Sequence, residues 1–118
     1  MLKDVSIDVN ATCSNKDEAI DTLVSLMAKQ GNLNNQDVYK QGIYAREELS
    51  TTGIGEGIAI PHAQSEAVNA PGLAAMVVKD GVDYQSLDNQ PAKLFFMIAV
   101  PKTGGNEHLQ ILAMLSQM

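Results

Sequence analysis

Ile7 and Val9 alternate with Asp8 and Asn10, the period-two pattern of a half-buried strand. A helical period follows. Ser14 or Asn15 stands where an N-cap belongs, and Asp17 and Glu18 sit near the positive end of the helix dipole. Ile20, Leu23, Val24 and Met27 recur on one face, and Gly31 marks the stop. Asn34 or Asn35 caps a second predicted helix reaching about Glu48, with Val38, Tyr39 and Ile43 apolar. Gly42 works against that helix by about 1 kcal/mol relative to Ala. Residues 50–57, Ser-Thr-Thr-Gly-Ile-Gly-Glu-Gly, are polar and glycine-rich and predict a loop. Ile58-Ala59-Ile60 is a short apolar run closed by Pro61, which has no amide to donate and belongs at a strand end or on an edge. Residues 73–78 and 94–100 are unbroken apolar runs of strand length, expected to be buried on both faces. Gly81 and Asp88-Asn89 predict turns between them, and Pro101 ends the second run. Asn106 caps a predicted final helix carrying Leu109, Leu112, Ala113 and Leu115. These elements predict a mixed α/β domain: a central, mostly buried sheet flanked by helices.

Composition narrows the picture. The 118 residues make one domain, and 45% hydrophobic content excludes a disordered chain. Aromatic residues are only 4%, so the core is aliphatic, with six Met to fill gaps. The net charge is −6 and no stretch concentrates Lys or Arg, which argues against broad binding to nucleic acid or anionic membrane. A single cysteine, Cys13, cannot form a disulfide within the chain and fits a reducing compartment. The opening residues lack the apolar stretch of a secretory signal, and the longest apolar run falls far short of the ~20 residues that span a bilayer. A cytoplasmic domain without direct membrane insertion is expected.

The candidate chemistry centres on two histidines. His62 follows the apolar run and Pro61, so rigid elements deliver it beside the glycine-rich segment. A neutral imidazole nitrogen is a good nucleophile near neutral pH. The plain alternative is a histidine that hydrogen-bonds a strand end. His108 falls in the first turn of the predicted final helix, where a solvated side chain is the plain alternative. Arg46 ends the second helix, and its ordinary role would be to pair with Asp37, Glu47 or Glu48. Taken together, two imidazoles and a guanidinium suit a phosphoryl group, because Arg matches phosphate geometry and keeps its charge. Phosphoryl transfer asks mainly for positioning and charge stabilisation.

Thr52 and the G-x-G-x-G run Gly53, Gly55, Gly57 complete the candidate site. The run is neither a dinucleotide fingerprint nor a P-loop. It lets backbone amides approach an anion, or else simply makes a hinge or tight turn. Other chemistries find no support: no zinc-ligand spacing, no nucleophile elbow around Ser65, and no distinctive carboxylate pair.

Arg46-Glu47-Glu48 and Thr52-Gly53-Ile54-Gly55-Glu56-Gly57-Ile58-Ala59-Ile60-Pro61-His62-Ala63 resemble the active-site segment of the enzyme IIA domains of the fructose/mannitol family. Those domains serve the bacterial phosphoenolpyruvate-dependent sugar phosphotransferase system. The resemblance runs on through Gly81-Val82-Asp83-Tyr84, Ser86-Leu87-Asp88, residues 94–101 and His108-Leu109, covering nearly the whole chain. The Ser86-Leu87-Asp88 stretch and the strand after it look closer to fructose-type than to mannitol-type domains.

The resemblance implies the fructose/mannitol-type IIA fold over residues 1–118, with no metal, nucleotide or other cofactor. It implies that His62 is the phosphorylated histidine, that His108 is the second active-site histidine, and that Arg46 is the active-site arginine. The implied partners are HPr, whose phosphohistidine is the donor, and a IIB domain, whose cysteine is the acceptor. Cys13 lies outside any matching motif and is not given the IIB role. The resemblance also implies that the family domain continues past the helix at His108, so that this chain lacks a C-terminal segment. Two alternatives stand beside transport. One is a regulatory IIA-like module, as in nitrogen-related phosphotransferase proteins and some transcription activators. The other is a binding domain whose histidines are structural.

Overall fold

The structure, a computed structural model, describes residues 5–102. The predicted final helix, with His108, lies outside the described residues. The order is β1 (Val5–Asp8), α1 (Lys16–Ala28), α2 (Gln36–Leu49), β2 (Gly53–Gly55), β3 (Ile58–Ala59), β4 (His62–Ser65), β5 (Gly72–Val82) and β6 (Ala92–Pro101). Both helices start where a side chain can take up an orphan amide. Asn15 accepts from the Glu18 amide at 2.9 Å, and Asn35 accepts from the Val38 amide at 3.2 Å. In each pair of candidate caps, the second residue is the one used. Helix α2 runs unbroken through Gly42.

The strands form one six-stranded mixed sheet. β1 pairs parallel with β5, and β5 pairs antiparallel with β6. The other edge of β6 takes both β3 and β4, in parallel. Ile58 faces Leu94 and His62 faces Ile98, so β3 and β4 share one register and make a single strand interrupted at Ile60 and Pro61. Pro61 costs this edge nothing, because its carbonyl still accepts from the Ile98 amide at 3.0 Å.

Both helices pack on one face of the sheet. Ile20, Leu23, Val24, Met27, Tyr39 and Ile43 meet Ala74, Met76, Phe95, Met97 and Ala99 in the main core. A smaller cluster of Ile60, Ile98 and Val100 forms on the opposite face. β6 is buried on both faces over residues 97–100, as its unbroken apolar run predicts. β5 alternates between buried and partly buried positions, because only the helix side of that strand is fully covered. Among the described residues no helix is long and apolar enough to cross a membrane.

Besides β5, which is not buried on both faces, and β1, whose Val5 and Ile7 are exposed, three local expectations need correction. Residues 50–57 are not an open loop: β2 and β3 form a hairpin whose turn, Glu56-Gly57, has φ of 58° and 80°. Two successive left-handed residues give the tight turn that matches strand twist. Gly81 lies not between strands but near the end of β5, at φ 79° inside a register shift, so it marks a bulge. His62 opens a strand instead of closing one, because pairing with β6 resumes directly after the proline.

Tyr39 ties the layers together. Its buried hydroxyl donates to the Ile98 carbonyl at 3.0 Å, at the β6 residue that faces His62. Burial pushes this phenol far above its usual range, so it stays a donor at any working pH. Tyr39→Phe should cost about 0.5–1.5 kcal/mol, the net worth of one such bond. Urea unfolding checks this as a lower midpoint at an unchanged slope.

Candidate active site

His62 is the first residue of β4 and is partly exposed, while Pro61 before it is fully buried. Its Nδ1 lies 2.8 Å from the Ile60 carbonyl oxygen. A carbonyl can only accept, so Nδ1 carries a proton, and in the neutral ring the lone pair is then on Nε2. The local sequence enforces this geometry. Only Pro61, with its locked φ, separates donor from acceptor, and pairing with β6 holds the backbone on either side.

Arg46 lies in the last turn of α2. Its guanidinium donates to the Ser50 carbonyl at 2.9 Å and approaches the Ser50 hydroxyl at 3.5 Å. It thus serves the negative end of its own helix. Among the described residues it makes no ion pair with Asp37, Glu47 or Glu48. Helix α2 lies over β4: a side chain added at Gly42 would stand in ordinary contact, 3.5 Å from the Ala63 methyl. Arg46 is one turn beyond that contact, and Ala63 is the neighbour of His62.

In the hairpin Gly53 pairs with Ala59 and Gly55 with Ile58, three and four residues before His62. The Ser86 side chain fills the place a Gly53 side chain would need, with the Ser86 Cα 2.9 Å from it. At Gly55, φ is 100° and an added Cβ would stand 3.1 Å from Asp88 Oδ2. The Gly53 amide donates to Thr51 Oγ1 at 3.1 Å, and the Glu56 amide donates to Asp88 Oδ2 at 2.9 Å. Donation from the Glu56 and Gln90 amides holds the Asp88 carboxyl below its usual range. These glycines therefore have the geometry of a tight turn and of close packing, with two of the segment's amides engaged by protein oxygens.

Thr52 reaches in the other direction. Its amide donates to Glu47 Oε1 at 3.1 Å, and its hydroxyl donates to Glu47 Oε2. The Glu47 carboxylate also pairs with Lys16 at 3.1 Å, and the Lys16 ammonium sits 4.6 Å from the centre of the Tyr84 ring. Burial, and then the Glu47 charge, push the Tyr84 phenol far up. In the sequence Glu47 stands out only as a partner for Arg46 and as part of the Arg46-Glu47-Glu48 segment. The missed signal is periodicity: Tyr39, Ile43 and Glu47 continue one stripe at four-residue spacing, and all three are buried. Arg46, through Ser50, and Thr52, through Glu47, both lie at the C-terminal end of α2, and the Thr52 carbonyl accepts from the amide of Ile60, two residues before His62. His108 lies outside the described residues.

The family model described as "Phosphoenolpyruvate-dependent sugar phosphotransferase system, EIIA 2" matches residues 1–118. The chain belongs to this family. It is 48% identical over 113 residues to a fructose-specific EIIABC component of Bacillus subtilis, covering 96% of this chain but 18% of that protein. It is 43% identical over 102 residues to a fructose-specific EIIA component of Haloferax volcanii, covering 86% of this chain and 66% of that protein. The chain thus spans under a fifth of the first relative and about two thirds of the second. Among solved structures, the nitrogen regulatory protein IIA-Ntr of Neisseria meningitidis superposes with a TM-score of 0.87 at 26% identity, covering 95% of this chain and 76% of that one. Enzyme IIA-mannitol of Escherichia coli, in complex with phosphorylated enzyme IIB-mannitol, superposes with a TM-score of 0.82 at 28% identity, covering 99% of this chain and 81% of that one. The mixed α/β expectation and the IIA-type fold stand.

In this EIIA chain, Cys13 is a poor nucleophile. It is partly buried, and its thiol lies 3.8 Å from the Thr22 hydroxyl. Burial raises its pKa, with the Glu18 and Asp8 carboxylates adding to the rise. Only the thiolate reacts. At pH 8 Cys13 should therefore alkylate with iodoacetamide more slowly than glutathione does, and should match it once urea unfolds the chain. A folded-state rate equal to that of glutathione would contradict this assignment.

Proposed function

We propose that this domain is a phosphocarrier of the sugar phosphotransferase system, acting in the cytoplasm. It accepts a phosphoryl group from phospho-HPr on His62 and passes it to a cysteine of a IIB domain. The observation that carries this reading is the 2.8 Å contact between His62 Nδ1 and the Ile60 carbonyl, which leaves Nε2 as the nucleophilic nitrogen. In the step, the Nε2 lone pair attacks phosphorus while the donor's N–P bond breaks and the donor nitrogen recovers its electron pair. The Nδ1 proton stays in place. Positive charge grows on the ring as the new bond forms, and the Ile60 carbonyl stabilises it through the same hydrogen bond. That charge also makes the imidazole a better leaving group for onward transfer.

In this reading Arg46 stabilises the phosphoryl oxygens and His108 orients them, while Thr52, Gly53, Gly55 and Gly57 shape the wall beside His62. Arg46 must leave the Ser50 carbonyl, or share it, to do so. Fructose is the favoured sugar, supported by the fructose-specific names of relatives at 48% and 43% identity. A regulatory role is the second reading. It is supported by a nitrogen regulatory protein of Pseudomonas aeruginosa at 31% identity over 110 residues, and by the match to IIA-Ntr.

Incubation with phosphoenolpyruvate, enzyme I and HPr tests the carrier role directly. The chain should take one phosphoryl group, acid-labile and alkali-stable as a phosphoramidate is. His62→Ala should abolish the label, and a label persisting in that variant would refute the assignment. Arg46→Ala and His108→Ala should each slow transfer by about 10²–10³-fold, the usual loss for one positioned charge-stabilising donor. Chase of the label onto a fructose-type IIB domain separates transport from signalling.

A further inference from the structure

A continuous line of hydrogen bonds joins the buried carboxylate of Glu47 to the ring of His62. Glu47 Oε1 holds the Thr52 amide at 3.1 Å. The Thr52 carbonyl accepts from the Ile60 amide at 3.0 Å. The Ile60 carbonyl accepts from His62 Nδ1 at 2.8 Å. We propose that Glu47 is a positioning residue for the reacting imidazole, acting through Thr52 and Ile60 to hold the ring as its Nδ1–H tautomer. The proposal rests on the reading of His62 as the phosphoryl acceptor.

Energetics favours a positioning role over a stabilising one. The Glu47 side chain is 5% exposed and its partner Lys16 is 17% exposed. Removing two charges from water costs about as much as their attraction returns, and apolar side chains of similar size commonly do as well or better. Glu47 also occupies the third position of a stripe begun by Tyr39 and Ile43, where an apolar residue would simply extend the core. A carboxylate does what such a residue cannot. It receives both the amide and the hydroxyl of Thr52, and so fixes that residue in position and rotation. Thr52 in turn sets the plane of the Ile60 segment. Ile60 has no freedom to compensate, because the next residue is the buried, φ-locked Pro61. Loss of the Glu47 anchor therefore tilts the Ile60 carbonyl away from Nδ1 and lets the other tautomer, with its lone pair on the wrong nitrogen, compete.

The test uses two variants of the full chain, with thermal melting to establish folding. Lys16→Met/Glu47→Met removes both charges while keeping side-chain volume. Glu47→Gln keeps an acceptor oxygen for the Thr52 amide. The readouts are the His62 tautomer, from long-range nitrogen–proton NMR correlations above the ring's titration, and single-turnover transfer from phospho-HPr. The double variant should melt near the wild type, show a new Nε2–H population, and transfer about 10²-fold more slowly, as small misplacements at a reacting centre do. Glu47→Gln should stay close to the wild type in both readouts. A folded double variant with wild-type tautomer and rate overturns the proposal. So does a Glu47→Gln variant slowed as strongly as the double variant, since it keeps the acceptor.

Should the double variant fail to fold, Glu47→Asp decides the matter. It keeps the charge beside Lys16 but draws the carboxylate back by one methylene from Thr52, and an unchanged tautomer and rate would again overturn the proposal. A wild-type chain that takes no phosphoryl group from phospho-HPr refutes the acceptor reading instead, and the tautomer measurement still decides the role of Glu47.

Discussion

The structure depends on the register of one strand. β6 carries β5 antiparallel on one edge and the interrupted pair β3 and β4 parallel on the other. Side chains alternate along a strand, so a slip of one residue would exchange the two faces of β6. Phe95, Met97 and Ala99 would leave the helix-side core, and Ile98 and Val100 would leave the smaller cluster behind the sheet. Burial on both faces makes such a slip too costly. His62 inherits this rigidity because its backbone is paired to Ile98 in the middle of the same ladder.

Around that ladder, polar groups are used sparingly and at particular places. Tyr39 reaches from α2 through the core to the Ile98 carbonyl. Glu47, one turn further along the stripe than Ile43, reaches to Thr52 and Lys16. A buried hydrogen bond returns about 1 kcal/mol net, far less than the burial of the surrounding aliphatic side chains. What these two bonds supply is direction. Each joins the helix layer to the backbone on either side of the interruption at Ile60 and Pro61. At the interruption the Ile60 amide bonds the Thr52 carbonyl and the Ile60 carbonyl meets the imidazole, while the Pro61 carbonyl keeps the tie to β6.

Membership of the EIIA family and the local geometry of His62 are independent observations. One comes from likeness over the whole chain. The other comes from three residues, Ile60, Pro61 and His62.

Much of this was legible in the amino-acid order, because local rules govern it. Asparagine caps, acidic first turns and the spacing of Ile20, Leu23, Val24 and Met27 specify helix α1 through contacts a few residues apart. The apolar run of residues 94–100 specifies a strand buried on both faces, and the segment around Pro61 and His62 marks the candidate site. Tertiary structure decided the rest. The glycine-rich residues became a hairpin because β3 had an edge of β6 to join. Gly81 became a bulge because β5 had to stay paired across it. Glu47 reads from the sequence as an acid that could pair with Arg46; only the packing of α1 and of the hairpin against α2 buries it. Local preference acts over one or two turns of chain. Whether a charge ends in water or inside the protein depends on what distant segments bring against it.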